Sequence, residues 1–482
     1  MKVLLLQPQF FSPGLSFLDA DPRRISLGLL YISAVLERAG HEVSVGLATK
    51  GNIQRLVEKA SPEIVGFSVV TPGYPYTKEL IQAVRAENLQ THIVLGGYHP
   101  TFCAEEVLKE TETDFVIRGE GENAMLQLVT ALEGKEKLSG VMNLSYRKGN
   151  EITHNKVGVP VDIDTLPFPS REKVDIPIKE ISESRGCPYA CTFCSIRSFY
   201  GRTWRPRSIE NLIDELTYMK EKLGYKQICI QSDNFLVSPK RVEDICKAII
   251  DSGLDDISYK STGRIDVMAK NPSLIDLMAE AGWKSMNFGL ESGVQAILDS
   301  SHNKQITLIQ ARKVASKLRD VNIHVGWTFI IGSGDEYDTE ANIQKSINFL
   351  LSIPYDAVGL TILTPFPGTP LFQKLQRENR ILTYDWSLYD VMHCVYKPNN
   401  LSPKRLEELY SKALWKVYAN GGPNNIIRRA LKAYRADELS LKDISGLLRL
   451  GFRVYRKRTN IYEVLSLYAD KYNAKIEKLC SV

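Results

Sequence analysis

The sequence predicts an α/β protein of two successive units, a doubly wound parallel-sheet domain and a partial (βα)6 barrel, with a helical extension behind them. Three observations carry the prediction. Apolar strand segments alternate with amphipathic helical segments in two separate series, the pattern of parallel sheets covered by helices. An aperiodic stretch holding "VPVDIDTLPFPSREKVDIP" divides the series and reads as a linker. After Leu371 the strand pattern stops. With 482 residues the chain needs more than one core, and the expected divisions are 1–149, a linker 150–178, 179–372 and 373–482.

In the first series the expected strands are "KVLLLQ", "EVSVGL", "EIVGFSVV", "HIVLGG" and "DFVIRG", with helices at "GLLYISAVLERAG" and "TKELIQAVRAE". Gly or Ser marks three strand ends, "GFSVVTPG", "LGGYHPT" and "IRGEGE". The carboxyl edge of an open α/β sheet is where ligands bind. The second series runs "EISESRG", "QICIQSD", "ISYKSTG", "SMNFGLES", "HVGWTFIIG" and "AVGLTILTP", with a helical pattern between successive strands. Each unit is roughly 30 residues long, the size of a βαβ unit. Six in a row make a partial parallel barrel, whose chemistry belongs on the loops at the strand carboxyl ends.

The composition, 44% apolar and 24% charged, is that of a soluble globular chain. No apolar run reaches the length of about 18 residues that a membrane span needs, and the opening "MKVLLLQPQFF" is too short for a signal peptide. A cytoplasmic protein is expected. Of eight cysteines three cluster, while Cys103, Cys229, Cys246, Cys394 and Cys480 are scattered, which suits a reducing compartment and one metal site.

That site is "RGCPYACTFCSI", with Cys187, Cys191 and Cys194 just after the first strand of the second series. A structural zinc takes four ligands; here there is no second pair, and the next Cys or His is Cys229. Thiolates also bind iron–sulfur clusters, and three of them leave one iron of a four-iron cluster open. "CPYACTFC", with Phe193 before the last cysteine, resembles the radical S-adenosylmethionine (SAM) superfamily. The resemblance implies one 4Fe-4S cluster on Cys187, Cys191 and Cys194, with SAM on the open iron and a 5′-deoxyadenosyl radical as its product. It also implies an electron donor such as flavodoxin or ferredoxin. Carried onto this chain, SAM-binding residues are Phe193; Asp233 and Asn234 of "QSDNF", toward the amine; Arg264 of "STGRID", toward the carboxylate; Glu291 and Ser292 of "FGLESG"; and Ile330 and Gly332 of "FIIGSGDE", toward adenine. A zwitterion needs both an anion and a cation nearby, which such a set supplies.

The first 150 residues resemble the Rossmann-like, cobalamin-binding subclass of that superfamily. Its implied cobalamin contacts are Ser68, Thr71, Gly96, Gly97, Gly119, Glu120, Gly121 and Glu122. Cobalamin mutases carry a ligating His in D-x-H-x-x-G after the first strand. Here that loop reads "QPQFFSPGLS" and has none; His99 lies in another loop and reads as an ordinary polar loop residue.

The resemblance implies a cobalamin-dependent methyltransferase acting on an unactivated carbon. The rival is the same radical chemistry without methyl transfer, in a cyclase, dehydratase or C–C bond-forming enzyme, told apart by S-adenosylhomocysteine. Methylthiolation is not expected, because the N-terminal region holds only Cys103 and no compact β-barrel RNA module follows; a peptide-modifying enzyme with auxiliary clusters is not expected either, because Cys394 and Cys480 cannot supply a cysteine-rich tail. Residues 400–482 carry 17 Lys+Arg against 8 Asp+Glu. The basic amphipathic stretch "NNIIRRALKAYRADELSLKDISGLLRLGFRVYRKR" reads first as a helical cap on the barrel, and second as a contact with an anionic membrane that would suit a lipid substrate over another small molecule. Nucleic acid is not expected, since no recognition module is present. Tyr384, Trp386, Tyr389 and His393 form an aromatic patch that either packs or closes the substrate side.

Overall fold

The computed structural model describes residues 1–12, 23–87, 89–418, 476 and 478–480. Its first sheet has the order β2-β1-β3-β4-β5-β6-β7. The strands are β1 Lys2–Pro8, β2 Glu42–Ala48, β3 Ile64–Ser68, β4 His92–Gly96, β5 Phe115–Ile117, β6 Leu144–Lys148 and β7 Glu151–His154. The first five are parallel and the last two antiparallel. Val3, Leu4, Leu5 and Leu6 of β1 are all buried, as the unbroken apolar run of a central parallel strand requires. The hairpin of β6 and β7 is not in the sequence expectation, and β7 falls within the stretch read as linker. It shows no alternation because Glu151 and His154 are exposed and Ile152 and Thr153 only half-buried.

The rest of that stretch is a packed strap. Val161, Ile163 and Leu166 pack on Tyr31 and Val35, and Ile176 and Ile178 pack on Leu30, so the helix Leu27–Arg38 is covered on the side away from its sheet. Each such side chain contributes about 1.5–3 kcal/mol on burial. Arg171 anchors the strap to the helix Ile209–Glu221: its Nη2 meets Glu215 Oε1 at 2.7 Å, and Arg207 Nη1 meets Glu215 Oε2 at 2.6 Å.

The second sheet has the order β15-β14-β13-β12-β11-β8. Its strands are β8 Glu180–Ser182, β11 Gln227–Gln231, β12 Ser258–Gly263, β13 Trp283–Glu291, β14 His324–Ile331 and β15 Ala357–Ile362, every pair parallel. β15 and β8 do not pair, so the barrel is open. A short antiparallel ribbon, β9 Ser184–Arg185 with β10 Arg205–Pro206, lies beside it. Among the described residues six helices start on side-chain caps, where Ser208, Ser238, Thr307, Thr339, Thr369 and Ser402 accept from the backbone N–H three residues on. Each cap is worth about 1 kcal/mol.

Beyond β15, Trp386, Tyr389 and Val395 join the core of the first domain, and Trp386 Nε1 donates to Glu106 Oε1 at 2.7 Å. Trp386 and Tyr389 of the aromatic patch therefore pack; Tyr384 is exposed. The basic stretch 424–458 lies outside the described residues. Asn52 Nδ2 donates to the carbonyl of Cys480 at 3.0 Å, so the last described residues rest on the first domain. Among the described residues no helix is long and apolar enough to cross a membrane.

Candidate active site

The carboxyl edges of the two sheets face one another across a cleft of about 390 Å³. Ser68, Gly96, Gly97, Gly119, Glu120, Gly121 and Glu122 line it from the first sheet, and Ser182, Ser184, Arg185, Gln231 and Asp233 from the barrel. Thr71 is not on the lining; it is buried in the turn Thr71–Gly73. The two glutamates are spent on the opposite sheet. Arg185 Nη1 lies 2.7 Å from Glu120 Oε1 and its Nη2 lies 2.6 Å from Glu122 Oε1, while Arg205 Nη2 reaches Glu120 at 2.8 Å. Arg185 and Arg205 were not singled out in the sequence; the only local signal is a cation at a strand end beside Gly186. Tyr31 Oη and Ser184 Oγ, also on the lining, are buried without a hydrogen-bond partner. Tyr98 packs against Phe199, ring centres 4.6 Å apart and planes tilted by 41°, linking the first sheet's edge to the helix Ile196–Tyr200 that follows Cys194.

The cysteine loop is held from several strands. Gly186 turns into it at φ +84°, where a Cβ would overlap the carbonyl of Thr203, so only glycine fits. Its N–H donates to Asp233 Oδ2 at 2.7 Å. Thr192 Oγ1 donates to the carbonyl of Ser301 at 2.6 Å, Asn303 Nδ2 to that of Ala190 at 3.3 Å, and the N–H of Leu371 to that of Thr192 at 3.0 Å. All three thiols are free and half-buried. Burial pushes Cys187 up and Cys194 up to about 12. Among the described residues no three His, Cys, Asp or Glu side chains converge on one ion. A cluster needs no such convergence, because each thiolate takes its own iron.

The structure places the other candidates unevenly. Asp233 faces Gly186 and the cleft, and burial raises its carboxyl above the usual range. Asn234 is buried; its Oδ1 accepts from the N–H of Leu236 at 3.2 Å and its Nδ2 has no partner. Glu291 sits at a register shift in β13 with φ 68°, and Lys304 Nζ meets its Oε1 at 2.6 Å. That left-handed backbone costs roughly 1–2 kcal/mol. Ser292 Oγ is 3.1 Å from Ser346 Oγ and accepts from Val294, a local cap. Phe193 packs edge-on against His302, with Lys304 Nζ 5.9 Å from its ring centre. Ile330 is half-buried against the barrel core. Gly332, at φ +96°, leaves room for Tyr396 Oη, which donates to Asp338. Arg264 does not reach into open space but is wrapped by protein groups, its Nε on Asp266 Oδ1 at 3.1 Å and its guanidinium over Tyr189. Lys304 and His302 were missed, since nothing in "SSHNKQ" marks them. His99 departs from its sequence reading: it is fully buried between Tyr74 and Trp386, and burial lowers its imidazole to about 3.

A family model described as the B12 binding domain matches residues 22–129, and one described as the Radical SAM superfamily matches residues 181–350. An uncharacterized methyltransferase of Pyrococcus horikoshii is 31% identical over 443 residues, 89% of this chain and 94% of that protein. The chain belongs to the radical SAM superfamily, in the subclass with a B12-binding domain. An anaerobic magnesium-protoporphyrin IX monomethyl ester cyclase of Synechocystis is 26% identical, over 89% of this chain and 90% of that one. The radical SAM methyltransferase TsrM of Kitasatospora setae, solved with cobalamin and a 4Fe-4S cluster bound, has the same fold at TM-score 0.68 and 15% identity, over 86% of this chain and 89% of that one.

A radical SAM enzyme of this subclass takes a 4Fe-4S cluster, SAM and cobalamin. The donor sets fit. Three free thiols on one braced loop suit a cluster with an open iron. The unpartnered Asn234 Nδ2 beside that loop suits a polar ligand, and the unpartnered Tyr31 and Ser184 hydroxyls on a glycine-edged cleft suit the amide-rich cobalamin.

Proposed function

We propose that this protein is a cobalamin-dependent radical SAM methyltransferase that methylates an unactivated carbon of a small, largely apolar molecule. One observation carries the reading: a single cleft is bounded both by the glycine-lined edge of the B12-binding sheet and by the barrel strand ends beside the three-cysteine loop. When bound, cluster and SAM supply a carbon radical and cobalamin a methyl group. The chain's own residues hold and shield. Cys187, Cys191 and Cys194 bind the cluster, and Asp233 fixes the entry to their loop through Gly186. Asn234, Phe193, Ile330, Gly332 and the Glu291–Lys304 pair form the SAM side, with Ser292 supporting the backbone there. Ser68, Gly96, Gly97, Gly119 and Gly121 leave backbone open to cobalamin. Glu120 and Glu122 act at one remove, through Arg185, by keeping the two edges in register. Tyr98, Phe199 and Tyr200 give the cleft an aromatic wall. The divisions 1–149, 150–178, 179–372 and 373–482 serve these roles, except that β7 within 150–178 belongs to the first sheet; the residues after it form the strap, and the basic tail is a contact for a lipid surface. A flavodoxin or ferredoxin supplies electrons.

The test is anaerobic reconstitution in the presence of cobalamin. Roughly four irons and one cobalt per chain are expected, with S-adenosylhomocysteine and 5′-deoxyadenosine formed in step with methylated product. The similarity to the magnesium-protoporphyrin ester cyclase favours a second reading, radical chemistry without methylation. Product and 5′-deoxyadenosine formed with no S-adenosylhomocysteine would establish that one instead.

A further inference from the structure

Arg264 is a buried cation at the carboxyl end of β12, and every arm of its guanidinium is engaged by the protein. Nε donates to Asp266 Oδ1 at 3.1 Å, and Nη2 donates to the carbonyl of Lys304. The guanidinium carbon lies 3.8 Å from the ring centre of Tyr189, within the loop between Cys187 and Cys191. The remaining arm, Nη1, points at Cys191 Sγ at 4.0 Å. A fork held on three sides does not turn to a ligand carboxylate without giving up buried hydrogen bonds, each costly to leave unmade. The sulfur is therefore the partner its geometry has selected.

Resting on the reading that Cys187, Cys191 and Cys194 hold a 4Fe-4S cluster, we propose that Arg264 is a positioning residue of that cluster: it clamps the Cys187–Cys191 segment through Tyr189 and sets the cluster's reduction potential through the charged N–H facing Cys191 Sγ. Reduction adds one electron from the external donor to the cluster. A fixed positive charge and an N–H directed at a ligand sulfur stabilise that extra electron, and hydrogen bonds to the sulfurs are among the determinants of such potentials. In a water-poor site the effect is weakly screened. Arg264 thereby makes the cluster easier to reduce, and SAM's carboxylate is bound by other groups.

Two measurements test this. First, the unaltered enzyme is produced with isotopically labelled arginine, reconstituted and reduced, and examined by pulsed EPR for hyperfine coupling between the cluster and an arginine nitrogen. Coupling is expected. A reduced cluster with no coupling overturns this inference alone; the absence of any cluster overturns the functional reading and this inference with it. Second, midpoint potential and SAM affinity are compared in Arg264→Gln and Arg264→Lys. In Arg264→Gln the equilibrium constant for reduction is expected to fall about tenfold, a shift of about 59 mV to more negative potential, with a smaller shift in Arg264→Lys and SAM affinity within about twofold in both. A potential that stays put while SAM affinity falls tenfold or more gives Arg264 back to the SAM carboxylate. If Arg264→Gln retains no iron, the coupling experiment, which needs no variant, decides.

Discussion

Arg185 Nη2 and Glu122 Oε1 lie 2.6 Å apart across the boundary between the two sheets, with both side chains nearly fully buried. Neither charge has water to fall back on, so each depends on the other. Glu122→Leu strands the guanidinium beside Glu120 alone. A loss of about 1.5–3 kcal/mol is expected, the worth of one charge-assisted hydrogen bond, since Arg185 keeps Glu120 at 2.7 Å; it is read as a lowered denaturation midpoint. Glu105→Gln, on an exposed pair with Lys109, is expected to stay within about 0.5 kcal/mol.

Gly332 is left-handed and leaves room for Tyr396 Oη. Gly332→Ala adds backbone strain of about 1–2 kcal/mol and a clash, so a stability loss of at least that size is expected in thermal unfolding. Adding Tyr396→Phe relieves the clash but not the strain and takes a donor from Asp338, so the double variant is expected to lose less than the sum of the two single variants.

His99 supplies a stability that depends on pH. Its imidazole is lowered to about 3, chiefly by burial and then by the nearby Lys78 charge. The folded value lies below the unfolded one, so the neutral ring's contribution is complete above about pH 6.5 and fades as pH falls toward 3. Between pH 7 and pH 4 this residue alone is expected to remove about 3 kcal/mol. His302, lowered for the same main reason, acts with the same sign. Subtracting the curve of His99→Phe isolates the His99 share; an identical slope in that variant would discard the assignment.

The cysteines divide by location. Cys191→Ala is expected to abolish iron retention and 5′-deoxyadenosine formation. Cys246→Ala, in the barrel's hydrophobic core, is expected to keep the iron and lose only about 1–2 kcal/mol of stability. Iron content per chain after reconstitution checks both.

The sequence by itself determined the local features. The Cys187, Cys191 and Cys194 spacing, the eleven parallel strands expected in two series and the glycine-marked strand ends are all visible in short windows, because strand period, turn chemistry and ligand spacing are properties of neighbouring residues. The hairpin of β6 and β7 was not visible, since a half-exposed edge strand buries no alternating face. Only the tertiary structure decided which charges meet. Glu120 and Glu122 turn to Arg185, Arg264 turns to Cys191, and Lys304 turns to Glu291. The linker became a strap because Leu30, Tyr31 and Val35 offered it an apolar face. A buried ion pair is selected by distance and by exclusion of water, and both are set by the packing of strands far apart in the chain.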